Sequence, residues 1–203
     1  SHSSSSASLP ANGDVRDVVL SANGRYATYS TAATDLVAGA SGETEENVYL
    51  WDRDAPALAG NRLVSHDAAG ALIRGNRASS EPRISHDGRY LVFQSPATNL
   101  VAGAISNGHD NVYLWDRDAL ASESMRLVSH TPSSSPPTGG DGYSFDARIS
   151  GNGRFVTFTT SSTDLGPDPL RGLVRAFELS PSGGASGPPA PPPPPTNSYI
   201  WDR

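Results

Sequence analysis

The sequence predicts an all-β fold of three consecutive four-stranded antiparallel sheets. Three observations carry that prediction. A unit of 64 to 65 residues repeats three times. An Asx-Gly pair falls at the same place in every copy, and apolar residues alternate with period two on either side of it.

The repeats are plain once aligned. SANGRYATYS starts at Ser21, SHDGRYLVFQS at Ser85 and SGNGRFVTFTT at Ser150. NVYLWDR starts at Asn47 and Asn111, and NSYIWDR at Asn197. RLVSH recurs at Arg62 and Arg126, and TDLVAGA at Thr34 matches TNLVAGA at Thr98. These boundaries divide the chain into residues 1–66, 67–130 and 131–203. Ser1-His2 matches the end of RLVSH, and Arg203 falls where the next RLVSH would begin. The frame therefore reads as three repeats cut out of register, a fragment of or building block for a larger array. A complete chain whose ends complete each other, within or between molecules, is the other reading.

Each strand follows from local chemistry. Asn23-Gly24, Asp87-Gly88 and Asn152-Gly153 are hairpin signals, because an Asx-Gly turn places both central residues at positive φ. Strand one precedes the turn, at residues 17–21, 82–85 and 147–150. Strand two follows it, at 25–30, 89–95 and 154–160; there Ala27 and Tyr29, Leu91 and Phe93, and Val156 and Phe158 share a face. NVYLWDR is strand three and RLVSH strand four. In copy three, 33 residues separate Asp164 from Asn197, against 12 between the matching positions of the other copies. That excess reads as a Pro-rich insertion at about 166–196, whose run at 191–195 favours extended polyproline II. An alternative alignment makes residues 173–179 the third strand and the Pro segment a linker. The close match of NSYIWDR favours the insertion.

Four hairpin-connected strands, repeated, are the unit of a β-propeller blade, which must stack on neighbours to bury its faces. At the stretch SSEPRISHDGRYLVFQSPATNLVAGAISNGHDNVYLWDR, residues 79–117, the chain resembles the TolB-type, WD-repeat-like bacterial propeller repeats. Copies one and three match more loosely. The resemblance implies blades around a central axis with the first strand innermost. It also implies exported, periplasmic or cell-surface proteins that contact protein or glycan more often than they catalyse. Where relatives often carry a DxNG-like turn before strand three, copy two has Asn107-Gly108-His109-Asp110 and copy one Glu43-Thr44-Glu45-Glu46.

Composition excludes several classes. Net charge is −6, there is no Cys, and all 15 basic residues are Arg. Without Cys there is no disulfide framework or thiolate site. No apolar run approaches a membrane span, and no Arg cluster offers a nucleic-acid footprint.

The chemistry-bearing residues have bland readings beside sharp ones. His2, His66 and His130 recur 64 residues apart and would converge in a ring, or else face solvent at strand ends. Glu43, Glu45 and Glu46, with Asn107 and Asp110 in the matching loop, are weak Ca²⁺ candidates, and no other cofactor is expected. The triplets Trp51-Asp52-Arg53, Trp115-Asp116-Arg117 and Trp201-Asp202-Arg203 read as inter-blade structure rather than a binding row. Ser/Thr clusters beside Pro, at 3–6 and 131–135, have the composition of O-glycosylated stalks or of plain linkers. No catalytic motif is present. The expectation is a non-enzymatic exported scaffold or protein/glycan interaction module, self-associating or set among neighbouring repeats. The alternatives are a structural subunit of an extracellular fibre or surface layer, and a glycan hydrolase.

Overall fold

The computed structural model describes residues 2–56, 58–121, 123–132 and 134–165, and the backbone of the strand at 174–178. The described residues are all-β, with no helix. A short hairpin of β1 (His2–Ser3) and β2 (Ser6–Pro10) opens the chain. The first blade follows: β3 (Val15–Leu20), β4 (Tyr26–Thr31), β5 (Asn47–Asp52) and β6 (Asn61–Leu63). The second comprises β7 (Ser80–Ile84), β8 (Tyr90–Ser95), β9 (Asn111–Asp116) and β10 (Met125–Leu127). The third comprises β11 (Ser144–Ile149), β12 (Phe155–Thr160) and β13 (Val174–Glu178). Every neighbour in each blade is antiparallel and the strands run in sequence order. These are propeller-type blades.

The Asx-Gly turns are tighter in chemistry and longer in span than a two-residue hairpin. Only the glycines take positive φ, at 64°, 73° and 68° for Gly24, Gly88 and Gly153. This corrects the expectation that Asn23, Asp87 and Asn152 do so as well. The turn is a Ser-x-Asx-Gly β-turn closed by the Gly24 N–H to the Ser21 carbonyl at 2.9 Å, with Gly at its fourth position. The Asn23 side chain accepts from the Ser21 hydroxyl and the Arg25 N–H at 2.8 and 3.0 Å. Those bonds hold the Asx residue outside the left-handed region. Asp87 and Asn152 repeat the arrangement.

Strand one is longer than the alternation indicates, because it bulges. Two residues oppose one between Arg16 and Val19, Ser80 and Arg83, and Phe145 and Arg148. The bulge puts Asp17, Glu81 and Asp146 at φ of 51°, 52° and 54°. Side chains at this position are carboxylates in all three blades.

The third strand of the third blade corrects the preferred alignment. Val174–Glu178 pairs with β12, matching Val156 with Phe177 and Phe155 with Glu178. The corresponding pairs are Leu91 with Trp115 and Tyr90 with Asp116 in the second blade. VRAFE therefore stands where VYLWD stands, and the span 166–196 contains a blade strand rather than an insertion alone. Trp201, Asp202 and Arg203 lie outside the described residues.

Most of the core lies between blades, with a smaller cluster of Tyr29, Ala33, Leu36, Tyr49 and Leu63 within the first. One cluster joins Tyr26, Val48, Leu50 and Val64 of the first blade to Ile84, Leu91, Phe93 and Trp115 of the second. Another joins Val92, Val112, Leu114 and Val128 of the second to Ala147, Val156 and Phe158 of the third. Burying each such side chain fully is worth about 1.5–3 kcal/mol, so the stacking of blades supplies the stability that one sheet alone lacks.

Candidate functional site

Most repeated polar residues act inside the blades. Arg25 Nε and Nη2 donate to the two Asp52 carboxylate oxygens at 2.9 Å each, and Arg89 clamps Asp116 identically. The clamp ties the residue just before strand two to the last residue of strand three. Hydrogen bonding from Arg25 holds the Asp52 carboxyl below its ordinary range. Burial alone would push Asp116 up, yet the bonds from Arg89 and the Asp118 N–H hold it below the ordinary value as well. The buried Ser65 hydroxyl donates to Asn47 Oδ1 and accepts the Val48 N–H, both at 2.9 Å, and Ser129 does the same for Asn111 and Val112. This fixes strand four onto strand three.

A second lock escaped the sequence reading. Asn12 accepts the Thr34 N–H and donates to its hydroxyl, both at 2.8 Å. Asn76 repeats this with Thr98, and Asp141 with Thr163, where the carboxylate accepts from both the N–H and the hydroxyl. The signal was a recurrent Asx at positions 12, 76 and 141, ahead of strand one. The Thr163 hydroxyl, with other hydrogen bonds, depresses the Asp141 carboxyl.

His2, His66 and His130 occupy matching strand-end positions, each ring Nδ1 lying 2.9–3.2 Å from the carbonyl oxygen of the next residue: Ser3, Asp67 and Thr131. They are not brought together. Glu43 and Glu45 are exposed, while Glu46 accepts the Ser30 hydroxyl at 2.6 Å. Asn107 Nδ2 donates to the Gly140 carbonyl, and the Asp110 carbonyl accepts the Ser144 N–H at 2.8 Å. Among the described residues, no three His, Asp or Glu side chains gather at metal-bonding reach.

The Trp of the repeated triplet sits in two environments. Trp115 is 2% exposed within the cluster between the first and second blades, with the Arg62 guanidinium 5.0 Å from its ring centre. Burial holds the Arg62 guanidinium below its ordinary value. Trp51 is only half-buried. It lines a recess of about 280 Å³ with His2, Val15, Val18, Ala27, Tyr29 and Asn61.

That recess marks the end face of the first blade. Val18 is 60% and Leu20 61% exposed, whereas their counterparts Ala147 and Ile84 are 2% and 9% exposed against the preceding blade. The turns tell the same story. A Cβ at Gly88 would lie 2.1 Å from the Tyr26 ring, and one at Gly153 would lie 2.2 Å from Tyr90. Each aromatic of one blade thus rests on the turn of the next. Gly24 has nothing within 4 Å of that point. Arg117 stacks over Tyr26 at 4.4 Å and donates to the Gly88 carbonyl at 3.0 Å, spanning the junction. Its counterpart Arg53 has the carbonyl of Gly24 at 3.5 Å and a 55% exposed side chain. An apolar face rimmed by a guanidinium and an open glycine turn is chemically a seat for an aromatic residue on another sheet.

No protein-family model matches the chain, and no curated protein matches it. Among solved structures, one described as TolB from Agrobacterium tumefaciens is similar, with 18% identity and a TM-score of 0.45. The match covers 82% of this chain and 46% of that one. The tricorn protease is similar at 12% identity and a TM-score of 0.44, over 81% of this chain and 13% of that one. This chain spans less than half the length of either. No helix among the described residues is long and apolar enough to cross a membrane.

Proposed function

We propose that this chain is a non-enzymatic β-propeller repeat module of an exported protein, acting as a scaffold and protein-interaction surface. The observation that carries the reading is the end face of the first blade. Val18 and Leu20 stand in water there, where the same positions in the other blades are packed. A monomeric surface gains nothing from displaying such a patch beside an open recess, and a partner sheet gains its burial.

Four of the carboxylates on which a hydrolytic centre could draw are engaged within the blades. Asp52 and Asp116 are clamped by arginine, Asp141 by Thr163, and Asp146 by Arg148 at 2.6 Å. Export rests on the resemblance of the repeats to TolB-type sequences. The test is a turnover screen of the purified chain against oligosaccharide and peptide panels. No turnover is the expected result. Turnover abolished by a single carboxylate-to-amide substitution would overturn the scaffold reading and favour a glycan or peptide hydrolase.

A further inference from the structure

The two ends of the blade stack are complementary to each other. The first blade offers an unfilled acceptor: the Gly24 turn, the Arg53 guanidinium and the apolar pair Val18 and Leu20. The third blade offers the matching donor. Phe155 continues the series Tyr26, Tyr90, Phe155, the first residue of strand two in each blade, and it is half-buried. Arg154 stacks on it at 5.1 Å, as Arg25 does on Tyr26 at 4.9 Å and Arg89 on Tyr90 at 4.8 Å.

The backbone repeats the same logic. The Ala22 N–H donates to the His86 carbonyl at 3.1 Å, and the His86 N–H donates to the Gly151 carbonyl at 2.8 Å. This relay links the turns of the three blades. Its terminal members are the Gly151 N–H on the third blade and the Ala22 carbonyl on the first. The two groups are a donor and an acceptor at the repeat positions that form the links already made.

We infer that a second copy of this chain docks head-to-tail on the first-blade face, its Phe155 seated on the Gly24 turn beneath Arg53. The inference rests on the interaction-surface reading above and names its partner. The interface is heterologous, so it either closes or propagates. The occupant is a copy because the third blade carries the aromatic and the turn N–H that, in the first and second blades, make the internal junctions.

The experiment is sedimentation velocity of the full chain across a concentration series, with three variants. Val18→Glu and Arg53→Ala alter exposed acceptor positions, and Phe155→Glu alters the donor; thermal melts establish that each is folded. The expected result is a species of twice the 21.2 kDa chain mass. Val18→Glu and Phe155→Glu should each weaken it by about ten-fold or more, the effect of losing a centrally buried contact. Mixing those two variants should restore association in part, since the mixed pair keeps one intact junction. Association lost with Val18→Glu and untouched by Phe155→Glu means first-blade faces pair with each other, and overturns the inference. A monomer at every concentration also overturns it. Neither result bears on turnover, so failure of the pairing and failure of the scaffold reading are separable.

Discussion

At the scale of single residues, the repeated Arg and Asp are a sheet-internal brace. Arg25 and Asp52 meet because strand two starts directly opposite the end of strand three, Tyr26 facing Asp52. The sequence displayed both halves, the Arg after each Asx-Gly and the Asp of each Trp-Asp-Arg, but not their pairing, which depends on register. It instead tied Asp to a neighbouring blade. Asp116 is the more sheltered member, its side chain 11% exposed against 41% for Arg89. Replacing it by Asn keeps the shape and removes the charge, so Asp116→Asn should cost about 1–2 kcal/mol at neutral pH, discounted for the exposure of Arg89. Urea unfolding measures this. The pH dependence follows in sign. Both aspartates titrate below the ordinary 3.8 when folded. Their stabilisation is therefore complete above that value and is lost as pH falls through the lower folded value. The gap between wild type and Asp116→Asn should narrow in melts taken below about pH 4, and a constant gap would refute the clamp as its source.

Individual strands were legible where alternation is unbroken, and misread where it breaks. Strands two and three emerge from the pattern almost to the residue, as β4, β8 and β9 do. Strand one was begun late, since the bulge at Asp17, Glu81 and Asp146 shifts the facing by one residue and ends the visible period. The pattern does not mark β13, because Phe177 and Glu178 replace the Trp and Asp of its counterparts. The turns make the sharpest element-level prediction. Gly24, Gly88 and Gly153 share a positive φ, but only the last two carry a neighbouring ring. Gly24→Ala should therefore cost the left-handed penalty alone, about 1 kcal/mol. Gly88→Ala and Gly153→Ala add an overpacked contact with Tyr26 and Tyr90, for about 3 kcal/mol in all. Chemical denaturation of the three variants ranks them, and equal losses would show that the aromatic does not depend on the bare turn.

For the whole molecule, the repeat count and blade character were visible in spacing alone, whereas the asymmetry between the ends was not. Sequence similarity makes the copies look equivalent; packing makes them unequal. Strand β9 is buried along its full length, with a blade on each side, while β3 is exposed at most of its positions. In a stack where each unit contacts only its neighbours, stability is a sum of blade terms and junction terms, so a central blade holds two junctions and an end blade one. Local opening should follow that count. Native-state hydrogen exchange should find the slowest amides in β8 and β9, with β3 and the β3–β4 hairpin exchanging first. The head-to-tail pair adds a junction term at the first blade of one copy and the third blade of the other, without touching the second blade. Raising the protein concentration should therefore slow exchange in β3, β4 and β12 and leave β8 and β9 unchanged. A uniform slowing of all three blades would mean that the chain opens as one unit and that end faces carry no separate junction energy. Slowing in β3 and β4 without any in β12 would mean that first-blade faces pair with each other, whereas slowing in both places the added contact between the face of Val18, Leu20 and the Gly24 turn and the Phe155 end of the third blade.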